Sequence, residues 1–170
     1  MNIIVNTTVI SNYCSVGQLQ LLPLLWERLY ISDQVWTEIQ TGFAQGYHFY
    51  AGIEQIIFPF VDKGWLHLTA LNLPEEFRLF GQLLTTLHDG EASSIAIAHY
   101  RKWTFLSDDK AARTACTQLN VPVSGTIGIL LSLVKHNHLN SVQADGILQQ
   151  MIEMGYRSPV HSLSQILQKP

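Results

Sequence analysis

The chain has 170 residues, 47% hydrophobic, 14% charged and 10% aromatic, with a formal net charge of −3. A chain this apolar and weakly charged can offset its ordering entropy by burial, which excludes disorder, and its length fits one folded unit that hides roughly 70% of its unfolded surface. The slight acidic excess excludes a partner held by bulk electrostatic attraction, so a nucleic acid would have to meet a local basic patch or bound cations.

Read in chain order, Ile3-Ile4-Val5 is a β-branched run closed by Asn6-Thr7-Thr8, which predicts a buried strand feeding a helix through a capping turn. Further short strands are expected at Leu29-Ile31, Leu66-Leu68, Trp103-Leu106 and Val121-Val123. Helical patterns fall at Val16 to Trp26, Gln34 to Gln45 after a Ser32-Asp33 capping start, Gly90 to Arg101, Asp108 to Leu119, Thr126 to His136 and Val142 to Met154. Strands alternating with helices imply a mostly parallel sheet covered on both faces. With no repeat and no low-complexity linker, residues 1–170 are expected to form a single domain. Residues 156–170 are expected to be a tail docked on it through Leu163, Ile166 and Leu167.

Cys14 and Cys116 are read as reduced thiols packed in a core inside a cell. The N-terminus lacks a basic region followed by a long apolar run, and no apolar stretch reaches the roughly 20 residues that span a bilayer. The expectation is a cytoplasmic protein with no membrane partner. Leu19 to Trp26 is apolar nearly all round, as in a helix buried in its own core or in a homodimer contact.

In an open parallel sheet, ligands bind beyond the carboxyl ends of the strands. Asn6 and the run Ser107-Asp108-Asp109-Lys110 stand directly after expected strands. Glu38 lies in Val35-Trp36-Thr37-Glu38-Ile39, on a helix face turned partly inward, and Glu91 opens a helix after Asp89. Each acid also has a structural explanation. Asp108, Asp109 and Glu91 would occupy first helical turns, where the dipole favours negative charge by about 0.3–1 kcal/mol, and an acid on a helix such as Glu38 is commonly solvated.

Taken together, Ile4-Val5-Asn6-Thr7-Thr8-Val9-Ile10, Val35-Trp36-Thr37-Glu38-Ile39, Gly90-Glu91-Ala92-Ser93-Ser94-Ile95-Ala96 and Leu106-Ser107-Asp108-Asp109-Lys110-Ala111-Ala112-Arg113 resemble a PIN domain. The closest likeness is to the VapC-like toxin branch whose third acid belongs to a Gly-Glu-Ala motif. Gly125-Thr126-Ile127-Gly128-Ile129-Leu130 and Gly155-Tyr156-Arg157 also look like that branch. The resemblance implies a three-layer α/β/α fold with strand order 3-2-1-4-5 and a metal-dependent endoribonuclease restrained by an antitoxin. It gathers Glu38, Glu91 and Asp109 around Mg or Mn and implies a product with a 5′-phosphate and a 3′-hydroxyl.

One position departs from that pattern. PIN domains carry Asp directly after the first strand, whereas this chain has Asn6. An amide oxygen still coordinates a hard ion, but it is neutral and no base, so the resemblance implies either a weakened nuclease or an inactive PIN-like module that binds RNA or protein. Around this set, Asp108 is a supporting acid, Thr8, Ser11 and Ser107 add hydroxyls, and Lys110 and Arg113 are placed to meet RNA phosphates. Arg101-Lys102 either extends that patch or is solvated surface charge. His136-Asn137-His138 lacks zinc spacing, and Gly125-Thr126-Ile127-Gly128 lacks the ending of a phosphate-binding loop. The four tryptophans fall in core or interface patterns rather than on a base-stacking face.

Overall fold

The computed structural model describes residues 2–167. Its first strand, β1 (Ile3–Val5), is buried along its length, as an unbroken β-branched run should be in a sheet covered on both faces. Among the described residues β1 belongs to a six-stranded sheet with all pairs parallel. The other strands are β2 (Leu29–Ser32), β3 (Ile57–Phe58), β4 (Leu66–Thr69), β5 (Thr104–Leu106) and β6 (Val123–Ser124), in the order β3-β4-β2-β1-β5-β6. The five strands expected from sequence keep their 3-2-1-4-5 order, and the difference is one added edge. Strand β3 is two residues long, pairing Ile57 with Leu66 and Phe58 with His67, too short to leave a hydrophobic run of its own.

Helices cover both faces: α1 (Thr7–Ser15), α2 (Asp33–Ala44), α3 (Pro74–Leu83), α4 (Asp89–Arg101), α5 (Lys110–Gln118), α6 (Thr126–Lys135), α7 (Ser141–Glu153) and the short α8 (Ser164–Leu167). The two-residue side-chain period of β1 divides the core. Ile3 and Val5 join one apolar cluster with residues of α1, α6 and α7, while Ile4 joins a second with residues of α3, α4 and α5.

Two expected boundaries move. The helix expected after the Asn6-Thr7-Thr8 turn is α1, but Val16 to Trp26 does not form the expected α-helix: Gly17 takes φ +65°, and Leu19–Leu24 coil into 3₁₀ turns containing Pro23. Of that apolar stretch, Leu21 and Leu22 are buried and Leu24 is exposed. The last strand lies at Val123–Ser124, later than the expected Val121-Val123.

After Gly155 the chain returns along α7, where the Leu163 amide donates to Asp145 Oδ1 at 2.6 Å and the Ser162 hydroxyl to Asp145 Oδ2 at 2.9 Å. Leu163 is fully buried, and Tyr156 and Val160 pack on the same cluster. The side chain of Leu167, expected to dock beside Ile166, lies outside the described residues. Cys14 and Cys116 are free and buried. Among the described residues no helix is long and apolar enough to cross a membrane.

Arg101 is neither part of a basic patch nor solvated. Its guanidinium is fastened to the fully buried Glu76, with Nε donating to Oε1 at 2.6 Å and Nη2 to Oε2 at 2.9 Å. Further N–H groups reach Thr69, the Ala70 carbonyl and Asn72, and the cation lies 5.3 Å from the Trp103 ring centroid. This latch ties the end of α4 to the start of α3.

Candidate active site

Asn6 emerges from β1 at its carboxyl end and caps α1 in an extended conformation (φ −85°, ψ 160°). Asn is among the preferred N-cap residues, yet this side chain makes no capping bond. Its Nδ2 donates to Ser107 Oγ at 3.3 Å, across to the end of β5. Its Oδ1 is buried and has no hydrogen-bond partner among the described residues. A buried carbonyl oxygen left unpaired costs on the order of 1–3 kcal/mol, and Gln34 Oε1 is the other such oxygen among the described residues.

The other expected residues surround this point. Thr7, next to Asn6, donates its hydroxyl to Glu38 Oε2, and the Gly90 amide donates to Glu38 Oε1 at 2.9 Å. Glu38 is therefore the bridge between the starts of α1 and α4. Gly90 is required for that approach, because a Cβ there would lie 2.6–2.7 Å from all three atoms of the Glu38 carboxylate. Glu91 is 8% exposed and accepts from the His88 amide through Oε2, which completes the first turn of α4. Burial raises its carboxyl above the ordinary glutamate range. The charge of Asp109 adds to the rise and that of Glu38 contributes less, while the His88 amide pulls the other way.

Asp109 is the N-cap of α5, with Oδ1 accepting from the Ala112 amide at 2.8 Å, and its own amide donates to Ser107 Oγ at 3.1 Å. The Ser107 hydroxyl thus accepts from Asn6 and from the Asp109 amide, linking the first and last residues of the set. Glu91 Oε1 and Asp109 Oδ2 make no hydrogen bond among the described residues. Asn6, Glu38, Glu91 and Asp109 offer only oxygen donors, the chemistry suited to Mg or Mn. Among the described residues no three His, Cys, Asp or Glu side chains are gathered closely enough to hold an ion by themselves. For Mg this is no obstacle in principle, since it keeps several waters and takes only one or two protein carboxylates.

Asp108 faces elsewhere. Its carboxylate accepts from the Thr126 amide at 2.9 Å, the Thr126 hydroxyl at 2.6 Å, Asn12 at 3.1 Å and the Tyr156 hydroxyl at 3.2 Å. It closes the start of α6 and ties it to α1 and to the segment after α7. Asn12, Thr126 and Tyr156 were not singled out from sequence. Asn12 carried a signal, being one turn on from Thr8 on the polar side of α1, whereas Tyr156 is near only through tertiary folding. Thr8 accepts from the Asp108 amide, and Ser11 bonds back to the Thr8 carbonyl. Both line a depression of about 250 Å³ beside Asp109.

Lys110 and Arg113, on the first turns of α5, line a larger cleft of about 810 Å³ together with Asp108, Tyr156 and Arg157. Arg113 is held by a bond from Nη1 to the Ser107 carbonyl at 3.0 Å. The cleft and the smaller depression share Asp108, Tyr156 and Arg157.

No curated protein matches the chain. A family model described as PIN domain matches residues 2–170, nearly the full length, and does so with the parallel sheet, its helical layers and the carboxyl-end cluster already in place. The chain belongs to the PIN-domain family.

Proposed function

We propose that this chain is a metal-dependent endoribonuclease of the VapC-like type, the toxin of a toxin–antitoxin pair, with Mg or Mn in the site of Asn6, Glu38, Glu91 and Asp109, held directly by one or two of the carboxylates and through water by the rest. The observation that carries the reading is Asn6 Oδ1, a buried oxygen with no partner, at the end of the central strand and hydrogen-bond-linked to the segment bearing Asp109. A hard cation satisfies such an atom and offsets the repulsion between Glu91, Asp109 and Glu38. The toxin role, the antitoxin and a cytoplasmic location rest on the motif resemblance. Pairing of two copies is supported by the exposed apolar residues Leu73, Phe77 and Leu84 on and beside α3.

When bound, the ion supplies a Lewis acid that lowers the pKa of water and neutralises charge on the phosphate. Glu91, whose Oε1 accepts no hydrogen bond among the described residues, would be the base that takes a proton from attacking water. Attack of that water at phosphorus would break the bond to the 3′-oxygen, which takes a proton from solvent, leaving a 5′-phosphate and a 3′-hydroxyl. Glu38, fixed by Thr7 and Gly90, and Asp109, fixed by its capping bond, hold their carboxylates in position. Ser107 orients Asn6 through its hydroxyl.

The neutral amide of Asn6 favours a second reading, an inactive PIN-like module that binds RNA or a protein. RNA cleavage with Mn²⁺ or with EDTA, comparing the natural chain with Glu91→Gln, separates the two. The nuclease reading expects Mn²⁺-dependent products that vanish in Glu91→Gln, and an uncut RNA, or one cut equally by both forms, overturns it.

A further inference from the structure

We infer that the 810 Å³ cleft between α5, the start of α6 and the segment after α7 seats one nucleotide of the single-stranded RNA flanking the cut phosphodiester, with Arg157 as a phosphate contact beside Lys110 and Arg113. The inference rests on the nuclease reading and adds the path of the substrate. The cleft lies in the roughly 300–1,000 Å³ range of small-ligand sites. Its walls have the two characters of a nucleotide: Ile127, Pro159 and the ring of Tyr156 are apolar, and Lys110, Arg113 and Arg157 are cationic. Arg113 is positioned by the Ser107 carbonyl, which spends one N–H of its fork and leaves others for phosphate.

The acid in this wall does not cancel that chemistry. Asp108 keeps its charge, but its four hydrogen bonds, from the amide and hydroxyl of Thr126, from Asn12 and from Tyr156, occupy both of its oxygens, and the three cations of the wall outnumber it. Gly125 keeps the junction open, since a Cβ there would lie 2.5 Å from Asp108 Oδ1 and 3.4 Å from Arg113 Nη1. Continuity with the acids comes from Asp108, Tyr156 and Arg157, which also wall the small depression containing Asp109. A strand crossing Asp109 therefore runs into the cationic cleft.

The test uses a fluorescein-labelled, unstructured oligoribonucleotide and anisotropy in EDTA, so that nothing is cut. Arg157→Gln should weaken binding about five- to tenfold at low salt and reduce the slope of log affinity against log salt by about 0.7, the single-strand value per phosphate contact. Thr117→Glu places a negative charge on the cleft from an exposed helical position and should weaken binding similarly. Gln118→Glu, exposed on the same helix but outside the cleft, makes the same net-charge change and should stay within about twofold of the natural chain. Equal effects of Thr117→Glu and Gln118→Glu, no effect of Arg157→Gln, or no RNA binding by the natural chain each overturn the inference and leave the cations to an acidic polypeptide. Cleft-sensitive binding without Mn²⁺-dependent cleavage sinks the nuclease reading and keeps the nucleotide seat. Cleavage with RNA affinity indifferent to the cleft variants does the reverse.

Discussion

Glu76 and Glu91 occupy corresponding places, each near the start of a helix with an oxygen turned back to a main-chain amide just upstream. Both are buried, and burial raises both carboxyls. For Glu76 the hydrogen bond and charge of Arg101, with the amides of Asn72 and Leu73, outweigh that rise and hold the carboxyl below the ordinary range. Glu91 has no arginine partner among the described residues; Asp109 and Glu38 push the same way as burial, and together these outweigh the lowering by the amide and charge of His88. One fold thus contains a neutralised acid that serves architecture and an unneutralised cluster that we propose as the ligand site, and the side chain across the gap separates the two.

The largest effect is expected at the neutralised acid. Arg101→Met leaves Glu76 buried without its cation and should cost about 3–5 kcal/mol in urea unfolding at neutral pH. Because the Glu76 carboxyl is depressed in the folded protein, its stabilising contribution is present above the unfolded glutamate pKa and is lost as pH falls through the folded value. The gap between variant and natural chain should therefore narrow in acid, and a pH-independent gap would contradict this account.

Next comes the site acid that is missing. Asn6→Asp adds a charge at a position 1% exposed, beside carboxylates. It should destabilise the metal-free protein by about 1–3 kcal/mol, reversed by Mn²⁺, with a higher cleavage rate. Equal Mn²⁺ titrations of the two forms in thermal melts would sink it.

Gly90→Ala should act more gently on stability. The helix gains from Ala by up to about 1 kcal/mol, but the methyl displaces the Glu38 carboxylate from its bonds to Thr7 and Gly90, for a net loss of about 1 kcal/mol. Mn²⁺-dependent cleavage should fall well beyond that small change, and unaltered cleavage would remove Glu38 from the machinery.

The smallest shift is expected from Glu91→Gln, which keeps an acceptor for the His88 amide and removes the strained charge. A raised carboxyl stabilises the fold only below the unfolded pKa, and that contribution is lost as pH rises through the folded value. The variant should accordingly melt about 2–4 °C higher at neutral pH, the difference disappearing in acid.

Much of the fold was legible because the five main strands are short β-branched or apolar runs whose period and flanking polar residues survive in the sequence. Strand β3 was not, since two edge residues have no period. Helix α3 escaped although Leu73-Pro74-Glu75-Glu76 carries the Pro and acids of a helix start; its exposed face, including Phe77, breaks the apolar stripe. Gly17 and Pro23 were the local signals that Val16 to Trp26 could not be one helix. Asn6, Glu91 and Asp109 stand out in the sequence by their position after strands and at helix starts, whereas Glu38, in the middle of α2, is marked by the motif resemblance alone. The division of labour between Asp108 and Asp109 could not be fully read, because Thr126 and Tyr156 reach Asp108 only through the tertiary fold. Arg101 was misread for the same reason: its partner lies 25 positions away on another helix.

The bond from Tyr156 to Asp108 also bears on the order of events during synthesis. The segments bearing the acids precede Tyr156 and Arg157 in the chain, and they can condense around β1 before the wall supplied by those two residues exists. A nascent chain would thus hold its carboxylates before it held a complete grip on a polyanion. On the proposed reading, grip on nucleic acid would follow the carboxylates in the order of synthesis, a delay built into the connectivity itself.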